Sequence, residues 1–229
     1  MMAGRRNRQR EVPDPPSLPG EFVAATGDFA RITEWDGLIA DSALTLPDIV
    51  HDLTMTECVW RGVDASSRTF TNLHCRDVVF EQCHFGGAIL DSCVLTRVAF
   101  IECRLTGVVL SGAQLTDVVI DGGVAHLANL RSSVSSFLWV TGTGMKEADF
   151  YDARLHRSAL LDCDLSSASF DSASVHGLSL HGSVLDSLRG TPALTGADVG
   201  LEAHQLVPMG AAVLAEMGVR VTDRPQPSR

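Results

Sequence analysis

The chain has 229 residues, of which 45% are hydrophobic, and a formal net charge of −10. This composition excludes a chain that is disordered throughout, and the length suits one large domain with tails. The negative charge argues against direct nucleic-acid binding, because phosphates are neutralised by clustered Lys and Arg. No apolar run approaches the ~18 residues of a membrane-spanning helix, so we predict a cytoplasmic protein without membrane contact.

Two segments precede any regular pattern. Residues 1–20 combine four arginines with four prolines and offer little to bury, which predicts a flexible tail. The arginines could contact an acidic partner, although a solvated tail explains them as well. Residues 21–49 contain large apolar side chains such as Phe22 and Trp35 without a constant period. We predict that they form an N-terminal cap over the open end of a repeat structure.

A five-residue period organises residues 50–189. Large apolar residues recur at every fifth position, and the residue two places earlier is usually small, as in Cys83 before Phe85 and Ala88 before Leu90. Between Phe80 and Leu185 only Ala125 and Ser135 depart from the large apolar series. Residues two apart in an extended segment share a face, so both series fill the interior of a solenoid built from short strands and turns.

The pattern resembles that of the pentapeptide-repeat family, whose repeat is written A-D/N-L-x-x. Three segments match it directly, namely Ala128-Asn129-Leu130, Ala148-Asp149-Phe150 and Cys163-Asp164-Leu165. The resemblance implies an all-β fold, a right-handed quadrilateral β-helix with four repeats per coil, and hence about seven coils. Asp and Asn precede the large residue less often here than in the family pattern.

The C-terminal segment, residues 190–221, carries a helical pattern that predicts short helices, with Pro208 splitting or kinking them. Such an element can cover the last coil. The resemblance to quinolone-resistance members implies instead that it joins two copies into a homodimer. The candidate dimer residues are Leu201, Leu206, Met209, Leu214 and Met217. Residues 222–229 are predicted to be a second flexible tail.

Four repeats per coil would stack equivalent residues of successive coils in one column on the surface. One such column, here called the outer strip, is predicted to point outward although it is largely apolar, with Leu161 beside it: Val59, Val79, Ala99, Val119, Trp139, Ala159 and Ser179. Three explanations stay open: the β-propensity of Val, a cap that folds back over the strip, or a surface that binds a protein partner. In the last case Trp139 is the first residue to mutate.

Acidic residues concentrate in the C-terminal half of the repeats. The candidate partner-binding acids are Glu147, Asp149, Asp152, Asp162, Asp164 and Asp171. Family members proposed to mimic DNA present a negative surface to DNA gyrase, so the resemblance implies gyrase as a partner. Lys146, Arg154 and Arg157 are interspersed among the acids, and an ordinary solvated face explains them too.

Chemistry-bearing residues do not form a recognisable site. The six cysteines fall on the two inward series and are predicted to be free thiols in the core. His156 and His176 share a column, but the spacing does not provide the ligand set of a metal centre. We therefore predict a protein without metal, cofactor or catalytic residues. The resemblance implies that it modulates or protects DNA gyrase or another type II topoisomerase. The alternative is a scaffolding module that binds another protein around Trp139.

Overall fold

The structure, a computed structural model of the whole chain, describes residues 12–25, 33–194 and 198–219. The predicted tail at 222–229 and the first eleven residues of the N-terminal tail lie outside the described residues. The described chain is a parallel solenoid of about eight turns that ends in one short α-helix. Its strands and helix are β1 (Val23–Ala24), β2 (Glu34–Asp36), β3 (Leu38–Ala40), β4 (Ile49–His51), β5 (Thr54–Thr56), β6 (Val59–Arg61), β7 (Thr69–Thr71), β8 (His74–Glu81), β9 (Val94–Ile101), β10 (Gln114–Asp121), β11 (Val134–Thr141), β12 (Arg154–Leu161), β13 (Ser174–Ser179), β14 (Val199–Gly200) and α1 (Leu206–Glu216).

The register of the solenoid repeats once per four five-residue units. Strand β8 pairs with β9 in parallel, with Val79 opposite Ala99, and β10 pairs with β11, with Val119 opposite Trp139. Each of these strands covers two of the four faces. The other two faces are joined by single bridges, such as Asp64 to His84. The predicted β-helix with four repeats per coil is therefore confirmed.

Each corner is turned by the residue two places after a large apolar one. At Gly87, for example, φ is 65°, and the turn is closed because the Ala88 amide donates to the Phe85 carbonyl at 3.0 Å. A positive φ at the third position is the mark of a type II turn. Large residues occupy equivalent corners, among them Leu127 and Phe137. The five-residue period thus combines two inward residues with one left-handed corner.

The interior is filled by stacked side chains. Aromatic rings follow one another up the rod, with Phe80 and Phe100 stacked at 4.9 Å and Phe150 and Phe170 at 4.8 Å between ring centroids. The exception at Ser135 is buried, and its hydroxyl donates to the Arg154 carbonyl at 3.3 Å. Burial of the hydroxyl is therefore accompanied by a hydrogen bond, as folded interiors require.

All six cysteines are buried in this core as free thiols. Burial raises the pKa of Cys93 to about 12 and that of Cys163 to about 11. Because the thiolate is the reactive form, both shifts make these thiols less nucleophilic than exposed cysteines. The cysteines thus serve as small core residues, in the positions that the repeat predicts.

The N-terminal segment differs from the prediction. Strand β2 pairs with β5 and β3 pairs with β6, both in the register of the later coils, and Trp35 and Ala40 are buried in the core. Residues 34–40 therefore belong to an additional coil, and the predicted seven coils become about eight. The sequence did not predict this coil, because the large apolar residue expected at position 45 is shifted by one. Thr45 is exposed, and its neighbour Leu46 is buried instead. Strand β1, which pairs with β3, lies at the N-terminal edge of the main sheet, as a cap would.

The C-terminal end is closed by α1 and a 3₁₀ turn at Ala203–Gln205. Gln205 Nε2 donates to the Leu180 carbonyl at 2.5 Å and to the Ser183 carbonyl at 2.7 Å. Glu216 accepts hydrogen bonds from the Gly190 amide at 2.6 Å and from Thr191 Oγ1 at 2.7 Å. Pro208 lies within the first turn of α1, where a missing amide hydrogen is tolerated, so the predicted split at this proline was wrong.

Candidate interaction surfaces

One corner of the solenoid carries a charged column. Asp77, Arg97 and Asp117 occupy equivalent corner positions on three successive turns, and all three have a positive φ. Arg97 binds Asp77 through two hydrogen bonds, Nε to Oδ1 and Nη2 to Oδ2, each of 2.6 Å. The Asp77 side chain is only 5% exposed. A bidentate pair of this kind fixes both side chains in one orientation.

An N-terminal segment docks on this column. We call residues 12–22 the strap. The Ser17 amide donates to Asp77 Oδ1 at 2.9 Å, and the Asp14 amide donates to Asp117 Oδ1 at 3.1 Å. Phe22 packs against the cluster formed by Val59, Val79 and Ala99. Residues 12–20, which the sequence assigns to a flexible tail, are therefore held against the rod.

The ion pair sets the ionisation of Asp77. Hydrogen bonding from Arg97 holds the pKa of Asp77 below its ordinary value of 3.8, and the Ser17 amide acts in the same direction against the effect of burial. The same pair raises the pKa of Arg97. Asp77 is thus ionised in the folded protein even in moderately acidic solution.

We expect Asp77→Asn to lower the free energy of unfolding by about 1.5–3 kcal/mol at pH 7, because it removes a charge-assisted hydrogen bond. A lowered folded-state pKa stabilises the fold above the unfolded value and loses that contribution as the pH falls through the folded value. The difference between wild type and variant should therefore shrink below pH 3.8. Urea unfolding at several pH values measures it. The exposed Asp162→Asn serves as control, and a gap that stays constant down to pH 2 would contradict the assignment.

The outer strip has the predicted register but not the predicted exposure. Its members are successive cross-strand neighbours from Val59 to Ser179. Val59 is 2% exposed and Val79 is 7% exposed, and Phe22 of the strap packs on them. These two residues cannot meet a partner while the strap is in place. The N-terminal segment thus folds back over the first part of the strip, as one of the three explanations required.

The far part of the strip is half-exposed at Val119 and Trp139, although Ala159 is buried. Val119 and Trp139 are partly accessible, and so is Leu161 beside them. Ile101 on the same side is 36% exposed. Trp139 is therefore the largest apolar side chain available at this end of the strip.

The acidic candidates do not converge on one surface. Glu147, Asp152 and Asp162 occupy three different corners and are exposed, and Asp171 is exposed on a further column. Asp149 pairs with Arg131 at 2.8 Å. Asp164 pairs with Lys146 at 3.2 Å. Part of the negative charge is therefore neutralised locally, and the rest is distributed around the C-terminal half.

The five candidate dimer residues divide into two groups. Leu201 and Met209 pack against the core and help to cap the last coil. Leu206 and Met217 are 63% and 72% exposed, and Leu214 is also exposed. Between α1 and the corner that carries Glu147 and Ser167 lies a groove of about 1090 Å³. The outward side of α1 thus presents an apolar surface next to a groove.

Neighbouring histidines do not assemble a metal centre. His156 and His176 are cross-strand neighbours and both are exposed. Across residues 12–25, 33–194 and 198–219, no group of three potential metal ligands comes together. In the same residues no helix is long and apolar enough to cross a membrane.

Sequence reasoning missed the charged column. Asp77, Arg97 and Asp117 stand one coil length apart, and their alternating charge was the available signal. Their role depends on the strap, which approaches from 60 and 103 residues away in sequence. A pattern of apolar residues cannot reveal a contact made by backbone amides.

Comparisons with known proteins agree with the fold. The family model for pentapeptide repeats matches with eight copies, over residues 74–112, 93–132 and 148–186. HetL, a pentapeptide-repeat protein involved in regulation of heterocyst differentiation in the cyanobacterium Nostoc sp. strain PCC 7120, has a similar structure at 18% identity and a TM-score of 0.52. The match covers 73% of this chain and 84% of HetL.

A trypsin-treated form of QnrB1, a plasmid-mediated fluoroquinolone resistance protein, matches at 16% identity over 88% of this chain and 100% of QnrB1, with a TM-score of 0.32. Full-length QnrB1 matches at 17% identity over 88% and 97% of the two chains, with a TM-score of 0.28. Comparison with curated proteins gives no match. The eight matched repeat copies and the constant register between coils together show that residues 74–132 and 148–186 are pentapeptide repeats.

Proposed function

We propose that this chain is a non-catalytic protein-binding rod. The observation that carries the proposal is a set of exposed apolar side chains, Leu206 and Leu214 on α1 and Met217 directly after it. The other side of this helix closes the solenoid. Large exposed apolar side chains grouped on one element are typical of an interaction surface. The rod interior is filled by its own side chains, so recognition takes place on the outer surface.

We assign DNA gyrase, or another type II topoisomerase, as the partner to be tested first. The resemblance of the repeats to quinolone-resistance members and the net charge of −10 support this choice. A rigid negative rod can occupy a surface that otherwise binds DNA, because electrostatic complementarity steers such an encounter. The exposed acids Glu147 and Asp152, on consecutive corners, are the first candidates for the contact. Asp162 and Asp171 are exposed on other columns, and the charges of Asp149 and Asp164 are already paired.

Supercoiling by gyrase and quinolone-stabilised DNA cleavage, measured over a range of protein concentrations, test the assignment. We expect both activities to change with dose, and the effect to be lost in Glu147→Lys/Asp152→Lys. The matched control is Glu102→Lys/Asp121→Lys, which makes the same charge change on exposed acids that precede the candidate acids, all of which lie between Glu147 and Asp171. Activities that do not respond to the wild-type protein would exclude gyrase, and equal effects of the two variants would exclude the acidic surface.

A homodimer through α1 is the second part of the proposal. Leu206 and Met217 would be buried against a second copy. Dimerisation would thereby remove these exposed apolar side chains from water. Light scattering on Leu206→Glu/Met217→Glu should give a monomer where the wild type gives a dimer. These substitutions leave Gln205 and Glu216, which close the last coil, unchanged. A wild-type monomer at micromolar concentration would contradict the dimer.

A scaffolding role is the alternative function, favoured by the half-exposed Trp139 at the end of the strip that the strap leaves open. It predicts that Trp139→Asp abolishes co-purification of a specific partner from the native host. Val124→Asp provides the control, because Val124 is similarly exposed on another face. Equal recovery with both variants would remove Trp139 from the interface.

A further inference from the structure

The strap crosses the rod against the direction in which the coils advance. Asp14 contacts Asp117, Ser17 contacts Asp77, and Phe22 lies farther towards the N-terminal end, on Val59 and its neighbours. Four prolines lie in the strap, at positions 13, 15, 16 and 19. Proline fixes φ at about −65° and keeps the preceding residue extended, which favours a polyproline II helix.

The spacing of the carboxylates fits that helix. A polyproline II helix has three residues per turn and rises about 3.1 Å per residue, so amides at i and i+3 lie on one side about 9.3 Å apart. Asp77 and Asp117 are two turns of the solenoid apart, which is about 9.6 Å at the usual strand separation. The spacing of the two carboxylates therefore matches the spacing of the amides of residues 14 and 17.

The prolines also select which amides are available. From Pro13 to Ser17 only Asp14 and Ser17 possess an N–H group, and both donate to the column. Arg97, on the turn between the two acids, holds Asp77 in place by its bidentate pair. The column thus recognises backbone donors at the spacing that prolines leave free.

Apart from Phe22 and the Asp14 carboxylate, whose charge interacts with Arg97, the side chains of the strap contribute less to recognition. Val12 is 52% exposed and Leu18 is 39% exposed, whereas Phe22 packs on the buried Val59 cluster. The contacts that define the strap are accordingly two amides three residues apart, one aromatic side chain five residues later, and the charge of Asp14 beside Arg97. A segment of another protein with the same features could make the same contacts with this face.

We propose that the face formed by Asp77, Arg97, Asp117 and the Val59–Val79–Ala99 cluster is a binding site for a proline-rich segment of a partner protein, and that the strap occupies this site in cis as a competitor. Tethering gives the strap an effective concentration in the millimolar range. A partner segment therefore binds only when its affinity and concentration together outweigh those of the tethered strap, and its binding displaces the strap.

Two full-length variants distinguish a protein whose strap occupies the site from one whose site is vacant. Asp14→Pro/Ser17→Pro removes both amide donors while keeping the polyproline conformation, and Asp14→Ala/Ser17→Ala removes the same two side chains but keeps the donors. Both leave every coil residue unchanged. A fluorescent peptide with the sequence of residues 12–24 is titrated into each variant and followed by anisotropy. Chymotrypsin cleavage after Phe22 reports release of the strap.

We expect the proline variant to be cleaved faster and to bind the peptide at least ~10-fold more tightly than the alanine variant, because the tethered competitor is gone. Adding Asp77→Ala/Asp117→Ala to the proline variant should abolish binding. Equal affinities, or binding that survives loss of the carboxylates, would overturn the proposal. A wild-type dimer that dissociates in the proline variant would also overturn it, since the face would then belong to the strap of a second copy.

Discussion

Phe150→Ala is expected to lower the free energy of unfolding by about 3–5 kcal/mol, the range for removing a buried aromatic side chain. Phe150 is fully buried, and its ring stacks on Phe170 at 4.8 Å with only 5° between the ring planes. The cavity cannot collapse easily, because the backbone around it is fixed by bonds between turns. The Phe150 amide, for example, donates to the Ser169 carbonyl at 2.8 Å.

Urea unfolding followed by circular dichroism measures this loss. Val184→Ala is a suitable control, because Val184 is 45% exposed on the same end of the rod and its truncation should change stability by no more than ~0.5 kcal/mol. A loss below about 1 kcal/mol for Phe150→Ala would mean that the neighbouring turns close the cavity, contrary to the rigidity expected of a close-packed interior.

Gly123→Ala is expected to lower the free energy of unfolding by about 2–5 kcal/mol, from the combined cost of a left-handed conformation and of overpacking. Gly123 occupies an inward position at which Cys103 and Thr143 stand on the adjacent turns, yet its φ is +75°. A Cβ there would lie 2.9 Å from the Cys103 amide nitrogen and closer still to its carbonyl oxygen. These are backbone atoms bonded into the neighbouring turn, so they cannot move aside independently.

Gly142→Ala separates the two contributions. Gly142 also has a positive φ, +59°, but a Cβ at this position would meet no atom within 4 Å. Its replacement should therefore cost only the conformational part, about 1–2 kcal/mol. Thermal or urea unfolding of both variants tests the comparison, and equal losses would show that the contact with Cys103 is relieved without cost.

The sequence predicted the structure correctly wherever the five-residue period is regular. The coil length follows from four five-residue units, so the neighbours Val79 and Ala99, or Val119 and Trp139, could be assigned before any coordinates. The additional coil escaped because Leu46 replaces Thr45 in the core and breaks the frame after Trp35 and Ala40. A local shift of one residue is enough to hide a repeat that pairs normally on either side.

The interaction surfaces were less accessible to prediction. The outer strip was identified correctly as a column, but whether Val59 and Val79 are open depends on the strap, whose prolines have little to bury and whose contacts are made by amides. The helix α1 was expected from its apolar pattern, yet only the contacts of Gln205 and Glu216 show which side faces the rod. Long-range polar contacts therefore limit what one sequence can reveal.

The strap also imposes an order on events during synthesis. Its amides lie at residues 14 and 17, but the carboxylates that receive them are 103 and 60 residues further along the chain. At roughly 5–20 residues per second, the ribosome delivers Asp117 about 5–20 s after Asp14. Each strand pairs with residues only 20 positions further along the chain, as Val79 does with Ala99. The coils can therefore form one after another as the chain emerges from the ribosome. The strap thus leaves the ribosome well before its docking site and must wait for Asp77 and Asp117 before it reaches its final position.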